Sequence, residues 1–253
     1  MNKIISRAVL IIEILLAFFF SAIIIDTAIT YSNSTEAIST EKIINLIALL
    51  SAIVFPLAAH IMIRIKHRSN TPEGEILPFL FLSTTLECIS FLPTYYIDTG
   101  VLLLDPILIN VLIRFSFLSN ALIFLYVALL LMGVNNNNYL SYFVISMLLA
   151  LILSIIAPNS SAIQAAGSNF GSDYDVYFNY AIALITLASI VTFIGAATKD
   201  KMRHSIERCI TYVLMVVGNY GIFTRSHMGV TAAATVILII GCIMLMMTSK
   251  ESF

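Results

Sequence analysis

The chain is 253 residues long, 60% hydrophobic and 11% charged, with a formal net charge of −1, against about 45–50% apolar and about 25% charged for a soluble domain. Mean hydropathy is +0.99. These values exclude a water-soluble domain, a disordered chain, a nucleic-acid binder and a disulfide-stapled scaffold, and leave a polytopic membrane protein.

A helix needs about 20 apolar residues to cross ~30 Å of hydrocarbon. Eight segments qualify, at about 8–27, 43–65, 77–97, 106–133, 139–157, 176–198, 208–224 and 228–248. Turn chemistry separates them: Asn33-Ser34-Thr35, Pro72 with Gly74, Gly100 to Pro106, Gly133 with Asn135 to Asn138, Pro158-Asn159, and Lys199-Asp200-Lys201. Backbone groups in lipid must be paired internally, so the expected fold is all-α: a single helical bundle over 1–253 with eight spans. The seventh span is the weakest, because it lies between Arg208 and Arg225 and contains Gly218, Asn219 and Gly221; without it the count is seven.

The first span follows Lys3 and Arg7 as a secretory signal would. It is long, contains Glu13 and lacks a small-x-small cleavage site, so it reads as a retained helix. Basic residues set orientation. With the N-terminus in the cytoplasm, Lys3, Arg7, Arg64, Lys66, Arg68, Lys199, Lys201, Arg203, Arg208 and Lys250 fall inside, and Lys42 and Arg225 outside. Eight spans then return the C-terminus to the cytoplasm, and a bacterial inner membrane is the expected location. Hydropathy also hints at a tandem repeat of four helices, 1–134 and 135–253, offset by about 133 residues and parallel in orientation.

Charge within hydrocarbon costs about 2.5–3.5 kcal/mol, so Glu13, Glu87 and Arg114 should face protein or water. Span 3 places Ser83, Thr84, Glu87, Ser90 and Thr94 at helical spacing, one polar stripe with Glu87 near the midplane. Arg114 lies at similar depth on the neighbouring span 4, with Asn110 one turn before it. A Glu87–Arg114 pair supported by Asn110 and Ser90 is the expectation. It reads either as a static ion pair or as a binding or relay site for a small polar solute or ion, with Ser83 also orienting cargo. Glu13 lies within reach of His60, either as an interhelical hydrogen bond or as a proton-linked acid.

Pro56 and Pro93 should kink spans 2 and 3. Asn179, Thr186 and Ser189 form a polar line on span 6, and Tyr212 and Asn219 one on span 7; such groups commonly bond between helices. Gly229 and Ala233 suggest a small-residue contact on span 8. The basic clusters Arg64 to Arg68 and Lys199 to Arg208 set topology and can meet anionic head groups. Asn33-Ser34-Thr35 and Asn159-Ser160-Ser161 match glycosylation acceptors. Cys88, Cys209 and Cys242 read as small buried hydrophobes. No Walker A loop, HExxH, GxSxG or metal-ligand spacing is present. No catalytic residue, metal or cofactor is expected, so an enzyme is disfavoured. The expected partners are the lipid bilayer, a small polar solute or ion, or a membrane protein, and the function classes are transport and, as the alternative, sensing or assembly.

Overall fold

In the computed structural model the described residues are 3–33, 39–66, 72–133, 139–156, 173–199, 203–224 and 227–248. All regular structure among them is helical: α1 (Lys3–Asn33), α2 (Thr40–Lys66), α3 (Pro72–Glu87), a 3₁₀ turn (Cys88–Phe91), α4 (Leu92–Thr99), α5 (Pro106–Leu131), α6 (Tyr139–Ile156), α7 (Asp173–Lys199), α8 (Arg203–Thr224) and α9 (Met228–Thr248). Six segments are long and apolar enough to span a membrane: Ile5–Asn33, Thr40–Ile65, Gly74–Thr99, Pro106–Leu131, Tyr177–Lys199 and Met228–Thr248. The eight expected spans thus reduce to six by this measure. Helix α6 is a shorter apolar helix, and α8 loses its first two turns to Arg203, His204, Glu207 and Arg208.

Side-chain contacts show that successive helices run up and down. At the end where α1 begins, Arg64 of α2 donates to the Ser6 carbonyl at 3.1 Å. At the far end, Lys42 of α2 meets Asp98 of α4 at 3.2 Å, and Asp98 also accepts from Tyr31 of α1. Tyr95 donates to Asp26 at 2.8 Å, and the Lys42 ammonium sits 4.4 Å from the Tyr31 ring centroid. Asp26 and Asp98, at the far ends of the first and third apolar segments, are thus held by tyrosine and lysine side chains at one end of the bundle.

Local signals explain the α4–α5 corner. Gly100 adopts φ 73°, the left-handed conformation that closes a helix. Asp105 then caps α5, accepting from the backbone N–H of Ile107 and Leu108, with Pro106 at the first position.

Helices α8 and α9 form a close seam. A Cβ added to Gly218 would lie 2.5 Å from the Leu238 backbone nitrogen, and one added to Gly221 would lie 2.6 Å from the Ala234 Cβ. Gly241 approaches Met215 in the same way. The glycines that make α8 a poor candidate by hydropathy are what let it dock. The expected contact at Gly229 and Ala233 is not the seam. A Cβ on Gly229 would meet nothing within 4 Å, and Ala233 is exposed, because both point away from α8.

Proline acts differently at its two expected sites. Pro56 lies inside α2, which is assigned as helix throughout. Pro93 opens α4 directly after the 3₁₀ turn, so the third crossing is interrupted. Lys199 closes the last turn of α7 by donating to the Met132 carbonyl at 2.9 Å. All three cysteines are buried thiols. The glycosylation matches lie wholly or partly outside the described residues.

Candidate functional site

The interruption of the third crossing falls at Glu87. This residue ends α3 and begins the 3₁₀ turn, thirteen residues after Gly74 and twelve before Thr99 in the apolar segment. The following turn tightens to i→i−3 bonding, with the Leu92 N–H donating to the Ile89 carbonyl. Pro93 can neither donate nor tolerate the preceding α-helical carbonyl, which accounts for the break on its N-terminal side.

Glu87 is buried, at 2% exposure. Its carboxylate accepts from Asn219 Nδ2 of α8 at 2.6 Å. Asn219 also donates to Asn120 Oδ1 of α5 at 3.4 Å, and Asn120 donates to Thr84 Oγ1 at 3.1 Å. Thr84 in turn donates to the Leu80 carbonyl at 3.0 Å. One network thus joins α3, α5 and α8 through four buried side chains. Asn219 Oδ1 is buried and accepts nothing.

A cavity of about 150 Å³ adjoins this network. Glu87, Asn120, Ala121 and Thr186 line its buried part; Asn179, Tyr220 and Thr224 are its exposed rim. Asn179 and Thr224 lie in the first turns of α7 and the last residue of α8, so the rim is at the far end of the bundle. Phe117, Phe124 and Phe223 supply aromatic walls, and Phe117 meets Phe223 edge to face with centroids 5.7 Å apart. Among the described residues no cluster of metal-ligating side chains is found.

The expected site residues separate into groups. Glu87 is at the network's centre, and its carboxylate bonds Asn219 rather than the expected Arg114. Arg114 is itself buried and has a partner of its own. It lies six residues from Asn120, about 9 Å along α5, and is not among the cavity's lining residues. Asn110 lies a further turn away, half-buried. Ser83 donates to the Leu80 carbonyl of its own helix at 2.8 Å, and Ser90 is half-buried on the 3₁₀ turn. Glu13 is not part of this group: it bonds His60 Nδ1, as its depth suggests. In that pair Glu13 Oε1 and His60 Nε2 are buried without hydrogen-bond partners, and the imidazole stacks on Phe81 at 5.5 Å.

The sequence reading missed Asn120, and it assigned Asn219 and Thr186 to interhelical bonding alone. The available signal for Asn120 was a full amide at the middle of an apolar span. Ser189 was also expected to bond between helices, but it donates to the Ile185 carbonyl four residues back at 2.8 Å. A short hydroxyl reaches its own helix more readily than a neighbour's; the longer Asn and Glu side chains reach across. No family model matches the chain, nor does any curated protein or solved structure.

Proposed function

We propose that this multi-pass membrane protein takes a small polar solute or ion into the cavity beside Glu87 and passes it across the bilayer. The observation that carries the reading is a buried carboxylate at a helix break, facing a cavity whose rim is exposed. Interrupted helices with polar groups near the membrane centre are a recurrent means of building solute sites in transporters. A packing-only role would be served as well by apolar side chains, which avoid the desolvation of a buried acid.

In this reading Glu87 is the central ligand, and Asn120, Asn219 and Thr186 orient the solute. Ser83 and Ser90 shape the break, while Arg114 and Asn110 lie on α5 beyond the cavity, toward that helix's N-terminal end. Glu13 with His60 is a separate acid–base pair able to carry a coupled proton. The chain crosses eight times, with α6 and α8 completing the set and both termini in the cytoplasm of a bacterial cell. The repeat of the two halves rests on the hydropathy offset alone, since α1 packs on α2 and α3 whereas α6 packs on α5. A non-transporting sensor or assembly subunit is the second reading, favoured by the fully buried Glu13–His60 pair, which a static bundle also accommodates.

Ala121 lines the cavity beside Asn120, and an Ala121→Cys variant with the three native cysteines replaced separates these readings. Transport predicts that a membrane-impermeant thiol reagent reaches Cys at 121 from either face of sealed vesicles. Reaction from one face only, or none, contradicts transport and leaves the sensor or assembly reading.

A further inference from the structure

The chemistry of the cavity narrows the solute. Among the described residues its lining contains one acid, Glu87, and neither lysine nor arginine. The donor nearest that acid is already committed: both N–H groups of Asn219 Nδ2 are used, by Glu87 and Asn120, while Asn120 Nδ2 gives one to Thr84. What remains in the network for an incoming group is mainly acceptor capacity, from the carboxylate and from Asn219 Oδ1, which has no partner. An anion would meet an acid and no base. A neutral polyol could bond the amides and hydroxyls of the lining but would leave the charge of the carboxylate unanswered.

The walls carry the second half of the argument. Four aromatic residues, Phe117, Phe124, Tyr220 and Phe223, line the same space. Ring faces attract cations through their quadrupole and pack well against methyl and methylene groups. A carboxylate at the floor with aromatic walls suits a cation that is itself partly apolar. A bare alkali ion would instead require a cage of oxygens, which rings cannot supply. We propose that the cavity selects a small organic ammonium ion, held by Glu87 through charge and by the aromatic walls through cation–π contact. This deepens, and rests on, the reading of the cavity as a solute site.

The test uses the full chain in lipid nanodiscs, with tetramethylammonium as the probe. Tert-butanol is the neutral control of comparable bulk, acetate the anionic control and potassium the inorganic one. Tetramethylammonium is expected to bind saturably and to shield the Ala121→Cys thiol from labelling; none of the three controls should do so at equal concentration. Glu87→Gln should weaken the binding at least tenfold, and Phe117→Leu severalfold. Equal shielding by tert-butanol, acetate or potassium overturns the proposal, as does undiminished affinity in a folded Glu87→Gln protein. The control comparison needs only the Ala121→Cys protein, so it decides the matter even where Glu87→Gln fails to fold. If position 121 reacts from both faces yet tetramethylammonium gives no shielding, the ammonium claim falls and the solute site stands. If position 121 reacts from neither face, both fall.

Discussion

Glu87 and Asn219 meet although 132 residues separate them in the chain, and each leaves the other poorly served when removed. Asn219→Ala removes the donor that the Glu87 carboxylate uses. Interhelical bonds of this kind contribute about 0.6–2 kcal/mol in membrane proteins. Asn219→Ala is therefore expected to lower stability by about 1–2 kcal/mol, and Glu87→Gln, which retains an acceptor oxygen, by less than about 1 kcal/mol. The double variant Glu87→Ala/Asn219→Ala should cost less than the sum of its single variants; additive losses in reversible unfolding would reject the bond. The Glu13–His60 pair obeys the same logic more strongly, since each partner already has one buried polar atom unsatisfied. His60→Ala should cost about 1–3 kcal/mol, the range for leaving a buried polar group without its partner, and Glu13→Ala/His60→Ala should recover part of it. Failure of the double change to recover stability would show that the contact contributes little. Both acids were legible as residues that lipid would not tolerate, and Glu13's partner followed from depth alone. Glu87's partner did not. Depth along an ideal helix predicts which residues share a level, but not which neighbouring helix a polar stripe faces, and Asn219 of α8 lies 132 residues away in the chain.

Among the elements, α8 and the α3–α4 break depart furthest from what periodicity suggests. Gly218 and Gly221 lower the helical propensity of α8 by about 1 kcal/mol each relative to alanine, yet they admit the α9 backbone to close contact. Gly218→Val would put atoms within the space held by the Leu238 main chain. Overpacking typically costs 1–3 kcal/mol when side chains can yield, and a backbone cannot yield in that way, so the loss should reach about 3 kcal/mol or more. Gly229→Val, at an open position, should change stability by less than about 0.5 kcal/mol. Melting of the two variants side by side checks the seam; equal tolerance would contradict it. The sequence suggested Gly229 with Ala233 because small residues four apart mark a contact only when the partner helix is on that side. Nothing in one helix's composition tells which side its neighbour occupies. The break after Glu87 was visible as Pro93, although its location toward the centre of the crossing, rather than its end, follows from the turn that precedes the proline.

At the scale of the whole molecule, composition alone defined an all-helical membrane bundle, and the hydropathy minima located most connections. The number of crossings is harder to read, because α8 carries charge in its opening turns and α6 is short. The two fall short for different reasons: α8 is partly buried in the bundle, where protein rather than lipid meets its polar groups, whereas α6 exposes most of its apolar side chains and is short only in length. Eight crossings predict that topology reporters inserted in segments 200–202 and 225–226 report opposite faces of the membrane; the same face for both would remove α8 from the set of crossings. A solute site beside Glu87 requires water to reach the level of that residue. Electron spin-echo modulation from D₂O at a nitroxide on Ala121→Cys measures this directly. It should match the modulation at the exposed rim position Thr224→Cys and exceed that at Leu184→Cys, on the outward face of α7. Modulation at 121 as weak as at 184 would mean a dry interior and would contradict the solute site.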